Sequence, residues 1–472
     1  MKRTVTMFAL FILLIPALLV GCTLFSVEEG EESLAGTPTA EEGEGGWLDW
    51  NGRAADVAEV EGGMDEAAVA DEEMVFEGEV EEEVVLEEDA AIAGAPAEEP
   101  MASPADVAGD DALRAEGPAP EESISQNSAL TAGEVDDNAN WDDYLLYLRD
   151  YQGPRVIPVD VSERHQIRVV DAAGEPVLGA LIRVLVDGQE VQRLRTHSDG
   201  GTLFFPRALP EALQGEQYTL EVEVDGAVTE VEIPAGTMQR EWEIVHPAAG
   251  APQVPARLDI LFLIDATGSM SDEIQQLKDN IQTIARQIDA LPAQPDVRFA
   301  MTIYRDRGDE FVSRTFDFTP DVDTFAEALA QVEAAGGGDY PEDLNEALAR
   351  AVHAPEWRVM ETVSLIFLVA DAPPHLDYPD QQTSYADEMM EAASRGIKIY
   401  PIASSGLDGQ GEYIFRQLAQ VTGGRFIFLT YGPGGPGTTG TETEHQVEDY
   451  TVSALDELVV RVVEEELAPL AP

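Results

Sequence analysis

The stretch that decides the fold is RLDILFLIDATGSM, residues 257–270. Leu258 to Ile264 (LDILFLI) is an apolar run with one polar residue, Asp259, which is typical of a strand buried on both faces of a parallel sheet. A second such run covers Val363 to Ala370. Because amphipathic helical segments alternate with these strands, we predict an α/β fold with a doubly wound, mostly parallel sheet.

The same alternation continues through residues 257–467. We expect further strands over 297–304, 312–318 (an antiparallel edge), 397–404 and 425–430, and helices over 271–291, 322–335, 341–353, 385–395, 412–421 and 447–467. Ligands of such sheets bind beyond the carboxyl ends of the strands. Polar residues at those ends are therefore the candidates for a functional site.

Carboxylates and hydroxyls occupy those strand ends. Asp265, Thr267 and Ser269 follow the first strand, Asp371 follows the second apolar run, and Asp339 lies in the glycine-rich loop GGGDYPED. These side chains are all oxygen donors, without His or Cys, and such a set suits a hard cation. We expect Mg²⁺, with Mn²⁺ and Ca²⁺ as alternatives.

At these residues the segment 257–467 resembles a von Willebrand factor A (VWA) domain. Asp265-x-Thr267-x-Ser269 matches the metal-ion-dependent adhesion site of that family, D-x-S/T-x-S, and Asp371 matches its Asp after the fourth strand. The resemblance implies a Rossmann-like fold and a metal that binds a protein ligand through an acidic side chain. Asp339 stands where the family usually has Thr, so direct coordination, coordination through water and no coordination all stay open.

Three strings resemble the hemicentin and alpha-kinase-associated subgroup of VWA domains. They are GGGDYPED at 336–343, Tyr304-Arg305-Asp306, and ADAPPH at 370–375. His375 either lines the metal rim or has a structural role. The tripeptide Arg307-Gly308-Asp309, which integrins recognise, is treated as a coincidence.

Residues 141–247 have a different spacing of apolar residues. WDDYLLYLRDY at 141–151 has helical spacing, and we expect this short helix to pack on the module that follows it. Alternating apolar residues over 164–171, 176–187, 191–205 and 218–233, separated by Gly-containing turns, predict a small β-sandwich. The segments 170–180 and 196–200 resemble carboxypeptidase-regulatory-like and other Ig-like modules, which implies a spacer or binding role without catalysis.

The N-terminal sequence predicts an export signal. Met1-Lys2-Arg3 precedes an apolar run over 7–20, which is shorter than the ~20 residues of a transmembrane helix. Leu19-Val20-Gly21-Cys22 resembles a bacterial lipobox, so 1–22 is predicted to be a lipoprotein signal peptide with Cys22 lipidated. The alternative is an ordinary secretory peptide. Cys22 is the only cysteine, which excludes intramolecular disulfides and Cys-based zinc sites.

The chain carries 27 Lys and Arg against 92 Asp and Glu, a formal charge of −65, which argues against nucleic-acid binding. Residues 28–140 hold 35 of these acids and two Arg, so we predict that 23–140 is a disordered acidic linker, or tether. Two short apolar clusters lie within it, at 47–50 and 74–76. They are either residual apolar residues of a linker or docking sites.

These features together predict a non-enzymatic protein of the cell envelope. It would be lipid-anchored and extracytoplasmic, at the outer membrane or cell surface, and would bind a protein partner through a divalent cation. The alternatives are a structural envelope protein with an inert site and a metal-dependent hydrolase. Against an enzyme, the sequence has no nucleophile elbow and no kinase, protease or nucleotide motif.

Overall fold

The structure is a computed structural model that describes residues 46–48, 130–248, 255–272, 274–435, 438–447 and 450–471. The predicted signal peptide, Cys22, and the predicted linker before residue 130 lie outside the described residues, apart from 46–48. No helix within these ranges is long and apolar enough to cross a membrane.

Strands and helices are numbered in chain order. The strands are β1 (Gly46–Leu48), β2 (Thr131–Val135), β3 (His165–Val170), β4 (Leu181–Val186), β5 (Gln189–Arg195), β6 (Gly201–Phe204), β7 (Gln217–Val224), β8 (Ala227–Pro234), β9 (Glu241–Val245), β10 (Arg257–Asp265), β11 (Asp296–Tyr304), β12 (Ser313–Thr319), β13 (Thr362–Ala370), β14 (Ile397–Ala403), β15 (Phe426–Thr430) and β16 (Val452–Ala454). The helices are α1 (Trp141–Asp150), α2 (Ile274–Asp289), α3 (Val322–Ala330), α4 (Leu344–His353), α5 (Tyr385–Ser394), α6 (Gly409–Thr422) and α7 (Leu455–Leu467).

Nine of these strands form one sheet in the order β1-β12-β11-β10-β13-β14-β15-β2-β16. The run from β11 through β10, β13 and β14 to β15 is parallel, and β12 pairs antiparallel with β11. The predicted doubly wound, mostly parallel sheet is therefore confirmed. The predicted edge strand, β12, is not outermost, because β1 pairs beyond it.

Successive residues of β10 point into two different cores. Ile260 and Phe262 pack in the core that contains residues of α2, α3 and α7, whereas Leu261 and Leu263 pack in the core with residues of α4, α5 and α6. All four are fully buried. Helices cover both faces of the strand, which is why every residue from Ile260 to Ile264 is apolar.

Three predicted helix boundaries were wrong. The predicted helix over 322–335 ends at Ala330, and the one expected over 341–353 begins at Leu344 because the Asp343 side chain accepts a hydrogen bond from the Glu346 N–H as an N-cap. The last helix begins at Leu455 rather than 447, because β16 comes first.

The end of the predicted linker was also wrong. Thr131–Val135 forms β2, which pairs antiparallel with β15 on one side and β16 on the other. Leu130 and Ala132 are buried in or beside the sheet at 2% and 0% exposure. The folded part therefore begins about ten residues before the predicted boundary at 140, and Gly46–Leu48 is a second strand inside the segment predicted to be disordered.

Helix α1 packs on α6, and it also contacts the segment that follows it, as expected, where Arg164 lies 3.9 Å over the Trp141 ring. Tyr147 and Tyr151 lie with ring centroids 6.1 and 4.6 Å from that of Tyr413. Just before the helix, Asp137 makes a two-bond ion pair with Arg416, with contacts of 3.0 and 2.6 Å. The segment 130–151 is thus part of the α/β domain.

The β module, β3–β9, is inserted between this segment and β10. Its three-stranded sheet (β6-β3-β9) and four-stranded sheet (β5-β4-β7-β8) share one hydrophobic core, as expected of a sandwich. Strand β9 was not predicted. The module contacts the α/β domain, where the Ser198 hydroxyl donates to the buried Glu466, which also pairs with Lys398.

Candidate metal centre

Two neighbouring parallel strands bring the predicted site residues to one edge of the sheet. Strand β10 ends at Asp265, and β13, paired with it up to Ile264 and Val369, is followed directly by Asp371. Because both strands run in the same direction, their carboxyl ends lie side by side.

Four of the five predicted metal ligands are linked by hydrogen bonds at this edge. The Thr267 backbone N–H and hydroxyl donate to Asp265 Oδ1 at 2.9 and 2.7 Å. The Thr267 and Ser269 hydroxyl oxygens lie 3.1 Å apart, and the Ser269 hydroxyl donates to Asp371 Oδ1 at 3.1 Å. Asp265 and Thr267 are fully buried, and Asp371 is 5% exposed.

The fifth predicted ligand, Asp339, lies in another group. It is exposed, and its carboxylate lies with the Asp306 carboxylate and the His375 imidazole in a set whose ligand atoms all lie within 4.8 Å of one another. Among the described residues this is the only such set of three acidic, His or Cys ligands, and Asp265, Asp339 and Asp371 do not form one.

Glycines let the two loops of the site approach closely. The Gly268 N–H donates to the Gly336 carbonyl at 3.0 Å, and a Cβ on Gly268 would lie 2.8 Å from that oxygen. Gly336 and Gly337 have φ of 78° and 68°, in the left-handed region that favours glycine. Arg305 donates to the carbonyls of Ala266 and Glu333 and so holds the same two loops together.

Sequence reasoning missed one carboxyl group, that of Glu342. It is 3% exposed, and both its Oε1 and Thr267 Cβ lie about 3 Å from the position a Cβ on Gly337 would take. Its backbone pairs with the segment after Asp371, since the Glu342 N–H donates to Pro373 and its carbonyl accepts from the His375 N–H. The sequence signal for Glu342 was the string Pro341-Glu342-Asp343, which the sequence pattern assigns to the first turn of the helix predicted over 341–353.

Two buried carboxyl groups of this centre, those of Asp265 and Glu342, have raised pKa values. Burial and the charge of Asp371 raise the pKa of Asp265 to about 7. Burial and the charges of Asp265, Asp306 and Asp371 raise the pKa of Glu342 to about 9. Asp265 Oδ2 is buried with no hydrogen-bond partner. An unpaired carboxylate oxygen beside two hydroxyls and a second carboxylate fits a divalent cation with oxygen ligands.

The Arg307-Gly308-Asp309 tripeptide has both of its charged side chains engaged within the chain. Arg307 pairs with Asp343 at 2.8 Å and with Asp380 at 2.7 Å. The Asp309 carboxylate accepts the backbone N–H groups of Asp306 and Gly337. These contacts agree with our interpretation of the tripeptide as a coincidence.

Comparison with known sequences identifies a family for the region that carries the centre. Residues 259–431 match the family described as von Willebrand factor A domain. The chain contains a VWA domain. In the structure this domain extends past the matched residues, because β2 precedes them and β16 and α7 follow them.

Two relatives and one solved structure show how far the likeness reaches. The chain is 27% identical over 172 residues to "Alpha-protein kinase vwkA" of Dictyostelium discoideum, which covers 36% of this chain and 27% of that protein. It is 35% identical over 114 residues to "von Willebrand factor A domain-containing protein 7" of Rattus norvegicus, covering 24% and 12%. The chain thus matches about a quarter or less of each relative's length. Proximal thread matrix protein 1 from the mussel byssus superposes with a TM-score of 0.26 and 16% identity, over 35% of this chain and 45% of that one.

Proposed function

We propose that the VWA domain binds a protein partner through a divalent cation held by Asp265, Thr267, Ser269 and Asp371. The observation that carries this proposal is the continuous hydrogen-bonded set of oxygens at the carboxyl edge of the sheet. When bound, the ion would supply an electrophilic position that an acidic side chain of the partner completes. Mg²⁺ is the first candidate, and Mn²⁺ and Ca²⁺ are the alternatives.

The charge balance of the four residues favours recognition of an acidic ligand. Asp265 and Asp371 carry two negative charges when ionised, which one divalent cation neutralises. A third carboxylate in the set would leave excess negative charge and repel an acidic partner. Among the described residues Asp339 groups with Asp306 and His375 and does not form a three-ligand set with Asp265 and Asp371.

The first experiment measures metal-dependent stability. The full chain is freed of metal with chelator, and its thermal midpoint is followed as Mg²⁺ is added. At 100 times Kd, binding to the folded state stabilises it by about 2.7 kcal/mol. We expect Asp265→Ala and Asp371→Ala to abolish this shift, and Asp289→Ala, which removes an exposed acid at the end of α2, to keep it. Equal midpoints with Mg²⁺ and with chelator would favour the inert structural alternative.

The second experiment asks for a partner. Wild-type protein and Asp265→Ala are used as matched baits for envelope extract, each with Mg²⁺ and with chelator. A partner of the site is retained by wild type with Mg²⁺ and lost in the other three conditions. Partners retained in all four conditions bind elsewhere and contradict the metal-dependent role.

We propose that the chain is not an enzyme. A hydrolase would turn over generic phosphoester or peptide substrates with Mg²⁺, and that turnover would depend on Asp265. Such dependence would replace the binding proposal with the hydrolase alternative. The absence of turnover in a protein that still binds Mg²⁺ would support the binding role.

We also propose that Cys22 carries a lipid anchor and that the acidic segment is a tether to the outer membrane or cell surface. We further propose that the VWA domain belongs to the hemicentin and alpha-kinase-associated subgroup. The anchor rests on the sequence of residues 1–22, and the subgroup on the string GGGDYPED and the likeness to vwkA. Cys22→Ala is expected to move the protein from the membrane to the soluble fraction and to remove the acyl mass. A membrane-bound Cys22→Ala protein would contradict the anchor.

A further inference from the structure

A second group of ligand atoms lies on the same rim, made of Asp306, Asp339 and His375. Asp306 follows the end of β11 by two residues, Asp339 is in the glycine-rich loop, and His375 follows Asp371 by four residues. One ligand atom from each lies within 4.8 Å of the other two. Asp306 and His375 are 5% and 3% exposed, and Asp339 is open to solvent.

The His375 ring is oriented as in a histidine that binds metal. Its Nδ1 lies 2.8 Å from Asp377 Oδ1, and because a carboxylate accepts, Nδ1 is the nitrogen that carries the proton in the neutral ring, which leaves the Nε2 lone pair for a metal. That Nε2 atom is buried and has no hydrogen-bond partner among the described residues. A carboxylate on the far nitrogen of a metal-binding histidine fixes the tautomer and raises the basicity of the ligand.

The surroundings hold the ring and the carboxylate in place. The His375 ring stacks on Tyr378 with centroids 4.1 Å apart, and the His375 carbonyl accepts from the Asn345 side chain at 2.6 Å. The Tyr378 hydroxyl donates to Asp306 Oδ1 at 2.6 Å. His375 Nε2 and Asp306 Oδ1 are 3.8 Å apart, too far for a hydrogen bond but within the span of one ion bonded to each at about 2.0–2.2 Å.

We propose that Asp306, Asp339 and His375 form a second metal site, which takes a borderline divalent cation such as Zn²⁺. One imidazole nitrogen and two carboxylates match the ligand preference of Zn²⁺ better than that of Mg²⁺, which favours oxygen alone. Two carboxylates and a neutral imidazole also balance a charge of +2. The exposed Asp339 provides the entry side, and water or a ligand would complete the coordination.

The two sites are distinct in their donor sets. The first has oxygens only and includes Thr267 and Ser269, whereas the second contains the nitrogen of His375. They are neighbours through Glu342, whose carbonyl accepts from the His375 N–H while its side chain faces Thr267 and Gly337. The proposal assigns Asp339 to the second site.

The test is a calorimetric titration of the full, chelator-treated chain with Zn²⁺ in millimolar Mg²⁺, so that the first site is saturated. We expect one Zn²⁺ per chain that Mg²⁺ does not displace, and the same stoichiometry in Asp265→Ala. His375→Gln is expected to lose this Zn²⁺. Asp377→Asn, which removes only the partner of Nδ1, is expected to weaken its affinity 10- to 100-fold.

Two controls keep the result interpretable. His353→Gln removes a half-exposed histidine that pairs with Glu388, and Zn²⁺ affinity should not change. If His375→Gln fails to fold, Asp339→Asn and Asp377→Asn carry the test, because both side chains are exposed and their loss leaves the core intact. Co²⁺ is the spectroscopic probe: its visible absorption bands should be altered in His375→Gln and in Asp339→Asn but not in His353→Gln.

Three results would overturn the proposal. The first is a full chain that takes up no Zn²⁺ beyond weak binding to its many exposed acids. The second is Zn²⁺ binding unchanged in His375→Gln and Asp339→Asn. The third is Zn²⁺ binding that is lost in Asp265→Ala but kept in His375→Gln, which would place the ion in the first site. None of these depends on whether a protein partner exists.

Discussion

The ion pair between Asp137 and Arg416 offers a direct test of the claim that the segment before α1 belongs to the VWA domain. Sequence reasoning placed Asp137 in a disordered linker, where its replacement would have no effect on stability. In the structure it lies in a buried contact with α6. We therefore predict that Asp137→Asn strongly destabilises the fold.

The size of the effect follows from the burial of the pair. Asp137 and Arg416 are 2% and 5% exposed, and two hydrogen bonds of 2.6 and 3.0 Å join them. Removing one partner of a buried pair costs about 3–5 kcal/mol, because the other charge is left uncompensated. Arg416 keeps contacts to Glu412 at 3.4 Å and to the Gln446 carbonyl at 3.2 Å, and it lies 3.8 Å over the Tyr147 ring. These contacts place the expected loss near the lower end, about 3 kcal/mol.

The assay is urea unfolding of the full chain at pH 7 and 25 °C. The matched control is Asp150→Asn, which breaks an Arg–Asp pair of similar length, 2.7 Å, with both side chains 66% exposed, and should leave the midpoint unchanged. The double variant Asp137→Asn/Arg416→Met should recover part of the loss, since no unpaired charge remains. An Asp137→Asn midpoint equal to that of Asp150→Asn would refute the assignment of this segment to the fold.

Three further predictions use other parts of the structure. A chain without residues 1–128 loses the three-residue edge strand β1 and should lose much less stability than one that also lacks Thr131–Val135, measured as urea midpoints; equal losses would contradict the role of β2. Gly268→Ala should weaken Mg²⁺-dependent stabilisation, because the new Cβ would meet the Gly336 carbonyl at 2.8 Å, while Gly338→Ala, with open space around it, should not; the thermal shift with Mg²⁺ measures both. Burial and the charge of Lys398 lower the pKa of His197 to about 4, so the unfolded state binds the proton first and stability should fall as pH drops from 6.5 towards 4, by about 3 kcal/mol in all. His197→Gln should remove this part of the pH dependence in urea unfolding at pH 7 and pH 4.5, and an identical slope in the variant would show that the histidine does not contribute.

The central strands were predictable from sequence because nearly all of their consecutive residues are apolar. Leu258–Ile264 and Val363–Ala370 are apolar apart from Asp259 and Ser364, and every residue of β13 is buried. Strand β2 reads Thr-Ala-Gly-Glu-Val and has no such signal. It becomes a strand because β15 and β16 supply hydrogen-bonding edges on both sides, and those partners are about 300 residues away in sequence. A window of local sequence cannot contain that information.

The residues of the candidate site also divide into those that the sequence reveals and those that it does not. Asp265 and Asp371 were predictable because each directly follows a strand that the sequence reveals. Glu342 was hidden because Pro341-Glu342-Asp343 is also a good helix start, and only the pairing of its backbone with the Pro373–His375 segment turns its side chain towards Thr267. The position of Asp339 relative to Asp371 depends on loop geometry, for which spacing in sequence offers no rule.

Strand β2, which sequence reasoning missed, marks where the chain returns to the sheet after β1, which pairs with β12 at the opposite side of the sheet. Thr131, at the start of β2, pairs with Thr430, at the carboxyl end of β15, so the chain enters the sheet at its carboxyl edge. The same edge carries Asp265 and Asp371. Between β13 and β2 lie only β14 and β15, so at about 4.8 Å per strand the entry point is roughly 14 Å along the sheet from the strand that Asp371 follows. The β module follows β2 in the chain, so it does not separate β2 from the segment that precedes it.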